Sequence, residues 1–531
     1  MTEFDVSGWP SAPSITARSP LPLAVRGRQW AMTALGIIAV MALCFLSHGL
    51  VFGTLASYER LTGQYRVEQF SWLSPNATLK LPDIAPAASL TIVGRAPHDQ
   101  HWTLECAGTR LMTVDLRAGF FRQSLPFSAL CAAQGLTIQS DWSVVPAAGG
   151  GSRDPRSLSY QLFALQSGAD AIPLTAVLAH SAGVYTAESE DIRSDPIGVL
   201  TGRWDATWYR GIAEHGYRYD GNGRVQQNVA WPFLFPMLVK GVAAASGLSI
   251  ASAMIWLNAG LVFTALLVLF FIGRVSGLTR SLALVAPVWL SFNAFGFFLV
   301  GGFSEPLFLT LEFLLVLLLL RRHYGAALVT LALLSATRFI GVIGVAWFAL
   351  TIWRDASLSR LGRLVRIAVA GIMGVLGIVA DSLIKGLQTG HPLAAFTVRK
   401  SWSTTPFSVL GGIFDLSALF SGDYLLTLVL AALLAGYALY IGLRTLGPTG
   451  SAAGRLLLGA GVSLVAATLI LNPELHSAGR YFLPFAPAIV GMLCYTPLRT
   501  RSLALILIAT AAGAAFMPLI VIRIAMAQAP F

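Results

Sequence analysis

The chain has 531 residues, 55% of them hydrophobic and 11% charged. Soluble domains carry about 25% charged residues, so an ordinary soluble protein is excluded and a polytopic membrane protein is indicated. The net charge is +11, from 36 Lys and Arg against 25 Asp and Glu, an excess that suits either a nucleic-acid partner or a membrane topology; its distribution along the chain decides.

Residues 1–29 read as a cytoplasmic tail, with Arg18, Arg26 and Arg28 ahead of the first apolar run. That run, 30–52, is too long for the core of a secretion signal and lacks a small-residue cleavage site. It is therefore expected to remain as the first transmembrane helix. Residues 53–195 are not membrane-like. SLTIVGR, HWTLECAG, RLMTVDL, GLTIQSDWSVV and SLSYQLFAL alternate apolar and polar positions, and Gly, Pro and Ser separate them. The expectation is a β-rich, sandwich-like domain inserted in the first external loop. Cys44 and Cys494 lie in apolar runs and read as inert packing. Cys106 and Cys131 both fall in the β-rich segment. An external compartment permits a disulfide between them, and their separation in space leaves the pairing open. Asn76-Ala77-Thr78 is a glycosylation sequon. Trp72, Trp102 and Trp142 suit core packing better than ligand platforms.

Residues 196–248 read as an external loop with juxtamembrane helices, and 249–531 as a multi-helix transmembrane domain. Apolar runs follow at 250–273, 281–300, 305–320, 325–337, 339–353, 367–387, 424–443, 455–471, 481–497 and 502–522. Arg274 and Arg280, Arg321 and Arg322, Arg354 to Arg366, Arg444 and Arg455, and Arg499 and Arg501 make every second loop basic. Basic loops are retained in the cytoplasm, so the positive charge is topology and no nucleic acid is expected. Residues 325–353 fit a tight hairpin of two short helices with its apex at 337–341. The whole is then a polytopic α-helical membrane protein of about eleven transmembrane helices, with a cytoplasmic N-terminus and an external C-terminus.

The external segments collect the unusual polar residues: Asp205, Glu305, Arg338, His391, Arg399, Lys400, His476 and Arg480. A charge at mid-membrane costs about 2.5–3.5 kcal/mol on insertion scales, so such residues usually serve a site. In GRWDATWYRGIAEHGY, Asp205 stands among Trp204, Trp208 and Tyr209. A carboxylate can take a proton from a sugar hydroxyl, and flat rings stack on a pyranose. Plainer roles compete. Asp205 also suits a helix cap, Glu305 a helix start, Arg338 a snorkelling side chain, and the tryptophans an interfacial belt. Asp381 and Lys385 read as a structural i,i+4 pair.

These residues resemble those of the PIG-V-type mannosyltransferases, the family of glycosylphosphatidylinositol mannosyltransferase II, in the GT-C class of membrane glycosyltransferases. WDATWYRGIAEHGY is similar to the family's Trp-Asp, Trp-Tyr, Ile-Ala, Gly-Tyr block. WPFLFP (231–236), FSEPLF (303–308), TRFIG (337–341), TGHPLAAF…W (389–402) and RYFLPFAP (480–487) resemble its later segments, in order. The resemblance covers the first helix and residues 200–500 but not the β-rich insertion. WPFLFPM lacks the family's final Tyr-Pro, and Phe339-Ile340 stands where a polar residue is common.

The resemblance implies a GT-C-like fold, a mannosyl donor on a polyprenyl or dolichyl phosphate, an external site, inversion at the anomeric carbon, and Asp205 as the first-loop catalytic acid. Asp205 is then expected as the base, and Arg338, Arg399, Lys400 and Arg480 as cations for the donor phosphate. Trp204, Trp208, Tyr209, Glu305, His391, Trp402, His476 and Tyr481 are expected around the sugar and acceptor. The partners are a polyprenyl-phosphate sugar and a lipid or glycan acceptor. No cofactor or metal is expected, because the His residues lack ligand spacing and no Asp-x-Asp motif lies near Asp205. The location is the cell membrane with an external or periplasmic active site, or the lumenal face of the endoplasmic reticulum in a eukaryote. Two alternatives are a GT-C transferase for another lipid-linked sugar, such as arabinofuranose, and a lipid-sugar flippase or transporter. Transporters usually show internal repeats, and none is visible here.

Overall fold

The structure is a computed structural model. It describes residues 23–62, 71–80, 89–145, 157–167, 170–172, 181–186, 196–202, 204–221, 223, 227–398, 425–445, 451–471 and 478–525. The chain divides into two units, Tyr58–Val199 and Met1–Ser57 with Leu200–Phe531.

The first unit is built on nine strands: β1 Ser71–Leu79, β2 Ser89–Ala96, β3 Gln100–Cys106, β4 Thr109–Leu116, β5 Gly119–Pro126, β6 Leu136–Ser140, β7 Tyr160–Ser167, β8 Asp170–Ile172 and β9 Ala182–Thr186. Alternation does its expected work along β3, where Gln100, Trp102, Leu104 and Cys106 all point into the core. The strands form one sheet in the order β4-β3-β6-β1-β7-β2-β5, with β8 on β7 and β9 on β1. This corrects the sandwich-like expectation of two packed sheets. In a flat sheet, β3 and β5 would stand roughly 24 Å apart, five steps of about 4.8 Å. Instead the rings of Trp102 and Phe121 meet edge to face at 5.2 Å, and Trp102 meets Tyr160 on β7 at 4.4 Å. The sheet therefore curls until its two ends share one core. Register shifts in the β2–β7 and β1–β9 pairs supply local bends. Alternation along a strand defines two faces but not how far a sheet curls. Cys106, at the end of β3, is disulfide-bonded to Cys131 in the short helix Ala129–Gln134 (Cα–Cα 5.3 Å). The buried Gln100 side chain accepts hydrogen bonds from Ser140 and Ser159. Trp142 stacks on the exposed His98 at 5.6 Å.

The second unit is helical. The first apolar run lies within one helix, Leu23–Thr62. Four helical segments are long and apolar enough to cross a membrane: Thr33–Ser57, Ile250–Val275, Arg360–Thr389 and Thr496–Ile522. Shorter apolar helices lie between them, including Arg280–Ser291, Tyr324–Thr337 and Glu305–Leu320. Several begin at side-chain caps: Ser249, Ser359 and Ser451 each accept a backbone N–H three residues on. The run 281–300 is not continuous. Its helix stops at Ser291, Asn293 accepts the N–H of Phe295 (3.0 Å), and a short helix, Phe297–Val300, follows. An Asn that bonds its own backbone two residues on competes with helix continuation. The run 325–353 breaks where expected, into Tyr324–Thr337, a 3₁₀ turn Phe339–Ile343, and Gly344–Trp353. Both helices lie against Arg360–Thr389 at its glycines. A Cβ on Gly377 would stand 2.3 Å from the Ala332 carbonyl, and one on Gly374 2.4 Å from Val345. Small residues allow this close approach of backbones.

Candidate active site

The helix Asp205–His215 buries Ala206, Tyr209, Ile212 and Ala213, a single stripe at helical spacing. Before it, Trp204 adopts φ 52°, ψ −135° and makes no side-chain cap. Positive φ on a bulky residue is strained and is retained where surrounding structure imposes it. Asp205 is thus the first helical residue and not the cap. Its carboxylate sits at the positive end of the helix dipole.

Glu305 is placed by a neighbour that the sequence reading did not single out. Asn258, fully buried in the helix Ile250–Val275, donates to the carbonyls of Gly301 and Phe303. That fixes the turn leading into the helix Glu305–Leu320. The preceding Ser304 is hydrogen-bonded to the hydroxyl of Tyr209 (2.8 Å). Arg338 stands at the break after Thr337, and Arg480 lies in the 3₁₀ stretch Ala478–Phe485.

These four residues meet. Arg480 donates to Asp205 and lies 3.5 Å from Glu305, and Arg338 donates to Glu305 at 2.6 Å. The run Asp205–Arg480–Glu305–Arg338 alternates in sign and sums to zero. Its side chains are 17%, 9%, 6% and 22% exposed. Charges this buried persist only when paired and hydrogen-bonded. Arg480 also lies 5.4 Å from the ring centres of Phe298 and Tyr481, and Arg338 5.9 Å from that of Phe308. The Arg480 Nε is buried with no hydrogen-bond partner among the described residues. A small cleft opens against Glu305, Arg338, Arg480 and Tyr481, with Phe308 and Leu309 as apolar wall. Asp205, bonded to Arg480, is not itself among the residues that line the cleft.

The remaining expected residues divide. Tyr209 is buried between Trp231 and Phe235 (5.3 and 5.2 Å), which makes it a support beneath the charges. Trp208 and Trp204 are half-buried on the Asp205 helix and its approach, and the Trp204 indole N–H has no hydrogen-bond partner among the described residues. His391 is exposed and packs edge-on to Tyr219 (5.1 Å). Arg399, Lys400, Trp402 and His476 lie outside the described residues. Seven residues beyond Glu305, on the same helix face, Glu312 is fully buried with neither carboxyl oxygen hydrogen-bonded among the described residues.

Comparison with known proteins follows the same residues. Residues 156–380 match the family described as Mannosyltransferase (PIG-V). The matched span holds Asp205, Glu305 and Arg338, while Arg480 lies beyond it. No curated protein matches the chain. Among solved structures it is similar to the S. cerevisiae protein O-mannosyltransferase complex bound to its sugar donor (14% identity, 42% of this chain and 33% of that one, TM-score 0.28). It is also similar to the Archaeoglobus fulgidus oligosaccharyltransferase in complex with zinc and sulfate (13%, 61% and 48%, 0.32). A third is the arabinosyltransferase EmbB of Mycobacterium smegmatis (13%, 93% and 64%, 0.33). The chain thus spans between 33% and 64% of the length of these structures.

Helices long and apolar enough to cross a membrane, buried charges at helix starts and this family match together point to the class of integral membrane proteins. The matched region is of the PIG-V mannosyltransferase type.

Proposed function

We propose that this enzyme moves mannose from a polyprenyl phosphate to a hydroxyl of a lipid or glycan acceptor, with inversion at the anomeric carbon. The observation that carries the reading is the run Asp205–Arg480–Glu305–Arg338, which joins two acids to two guanidinium groups beside a cleft. The acceptor oxygen attacks the anomeric carbon while Asp205 takes its proton. The bond from that carbon to the phosphate oxygen breaks, and its electron pair leaves with the lipid phosphate. Arg338 and Arg480 meet that growing charge, which a planar guanidinium fork does better than a point charge. The incoming phosphate competes with Asp205 for Arg480, so donor binding loosens the base for its task. Glu305 holds both arginines in place. Arg399 and Lys400 are proposed as further phosphate cations, and Trp204, Trp208, His391, Trp402, His476 and Tyr481 as neighbours of sugar or acceptor. No metal takes part in the proposed transfer, and chelation with EDTA is expected to leave its rate unchanged. About eleven spans, a cytoplasmic N-terminus and an external site complete the proposal, supported by the basic alternate loops. Labelling of single cysteines in intact cells tests that sidedness.

The deciding experiment is transfer from labelled polyprenyl-phosphate sugars, mannose and arabinofuranose side by side, to membrane lipids. Mannose transfer is expected, and Asp205→Asn is expected to lower it about 10²–10⁴-fold, the range of a lost general base. More than about a tenth of wild-type rate in that variant is incompatible with the assignment of the base. Preference for arabinofuranose replaces the donor and leaves the base in place.

A further inference from the structure

Asp381 and Lys385 are the most completely buried ion pair among the described residues, with both side chains 0% exposed. A buried pair contributes little net stability, because desolvation offsets its attraction. Its surroundings show what else it does. Asp381 accepts from Lys385 with one oxygen (2.5 Å) and from the backbone N–H of Phe233 with the other (3.0 Å). Phe233 directly precedes the helix Leu234–Ser246. The Lys385 ammonium faces two rings, Tyr217 at 5.1 Å and Phe339 at 5.7 Å. One turn on, Gln388 accepts the backbone N–H of Tyr217 (2.8 Å).

Both rings lead to the charged cluster. Phe339 follows Arg338 directly in the chain, and Arg338 holds Glu305. Tyr217 donates its hydroxyl to the Trp231 carbonyl (2.8 Å), Trp231 packs on Tyr209, and Tyr209 bonds Ser304 beside Glu305. Two routes from one ammonium therefore converge on Glu305, through elements far apart in sequence. A plain i,i+4 helix pair needs neither route.

We propose that Asp381 and Lys385 are a positioning pair, which locks residues 217–221 and 227–233 and the turn at Arg338 onto the helix Arg360–Thr389 and so sets the arginine–carboxylate geometry for transfer. The turnover readout rests on the proposed glycosyl transfer, whereas the structural readout stands without it. Neither residue touches the cleft, so the effect falls on how well the reacting groups are held and not on donor contact.

The test uses the full chain in lipid nanodiscs and the double variant Asp381→Asn/Lys385→Met. Asparagine keeps an acceptor for the Phe233 N–H, and losing both charges together leaves none buried alone. The double variant is expected to melt close to wild type, while amide exchange quickens about tenfold or more both in 217–221 with 227–233 and in 338–343, and stays unchanged in the β unit. Its kcat is expected to fall about tenfold or more with donor KM within about threefold, as for interactions made mainly in the transition state. Unchanged exchange in either segment overturns the proposal, and so does a wild-type kcat. If the wild-type chain transfers from no polyprenyl-phosphate sugar, the proposed function fails, and the exchange comparison still decides the positioning role.

Discussion

The two units treat buried polarity in opposite ways. In the β unit the core is a continuous apolar cluster around Trp102, Tyr160, Leu104 and Ile138, with a disulfide at its edge. The polar Gln100 is admitted with its carbonyl oxygen satisfied by two hydroxyls, and the ion pair His101–Asp115 stays at the surface. In the helical unit, Asp205, Glu305, Arg338, Arg480, Asp381 and Lys385 are drawn inward and paired with one another. The first arrangement gains stability from packing. The second gives stability up to hold charge in a fixed geometry, as functional sites do. The contrast teaches where to look for chemistry in a chain that is greasy throughout.

Breaking one buried pair on one side only tests this contrast most strongly. Lys385→Met alone leaves Asp381 charged and unpaired, and should cost about 3–5 kcal/mol, read as a lower melting temperature of the full chain. A loss under about 1 kcal/mol would place the helical unit with the β unit. Next comes the disulfide. Replacing Cys106 and Cys131 with alanine opens a loop of sequence separation 25 and should cost about 3 kcal/mol, seen as faster exchange in the β unit and unchanged transfer. Arg480→Lys keeps the charge but loses the fork. Losing a hydrogen bond to a charged group costs about 1.5–3 kcal/mol, so donor kcat/KM should drop roughly 10- to 100-fold with little change in melting. The smallest effect belongs to His101, whose hydrogen bond to Asp115, aided by the charges of Asp115, Asp141 and Asp99, raises its pKa above the usual 6.5. Its contribution is complete below the unfolded value and fades as pH rises through the raised folded value. Exchange protection of the β3–β4 pair should therefore weaken slightly on going from pH 6 to pH 9, and His101→Ala should remove that slope.

Much of the site was legible because a charge in an apolar background is conspicuous. Asp205, Glu305, Arg338 and Arg480 stand out in the sequence on that ground alone. That Arg480 bridges both acids was not legible, since 275 residues separate it from Asp205. Asn258 gave no signal beyond a single polar letter in an apolar run, and Ser304 stood out only as part of FSEPLF, although both lie at the turn that delivers Glu305. Asp381 and Lys385 were visible as a helical pair, but their rings and backbone partner come from other segments. In the β unit the faces of the strands were readable. The curl of the sheet depends on how residues of distant strands fill one core, as Trp102 and Phe121 do.

Glu312 carries a consequence for how the protein is made. The helix Glu305–Leu320 has only 16 residues and bears two acids, at its first position and near its middle. A short segment with a mid-span acid is a poor substrate for partitioning into lipid by itself. Its entry into a membrane is therefore expected to depend on that of its neighbours. Ile250–Val275 precedes it and already supplies Asn258 to its leading turn, while Tyr324–Thr337 follows as the next helix. Assembly of this region is then expected to be a joint event, with Glu305 at the helix head reaching its place only once those helices have packed together.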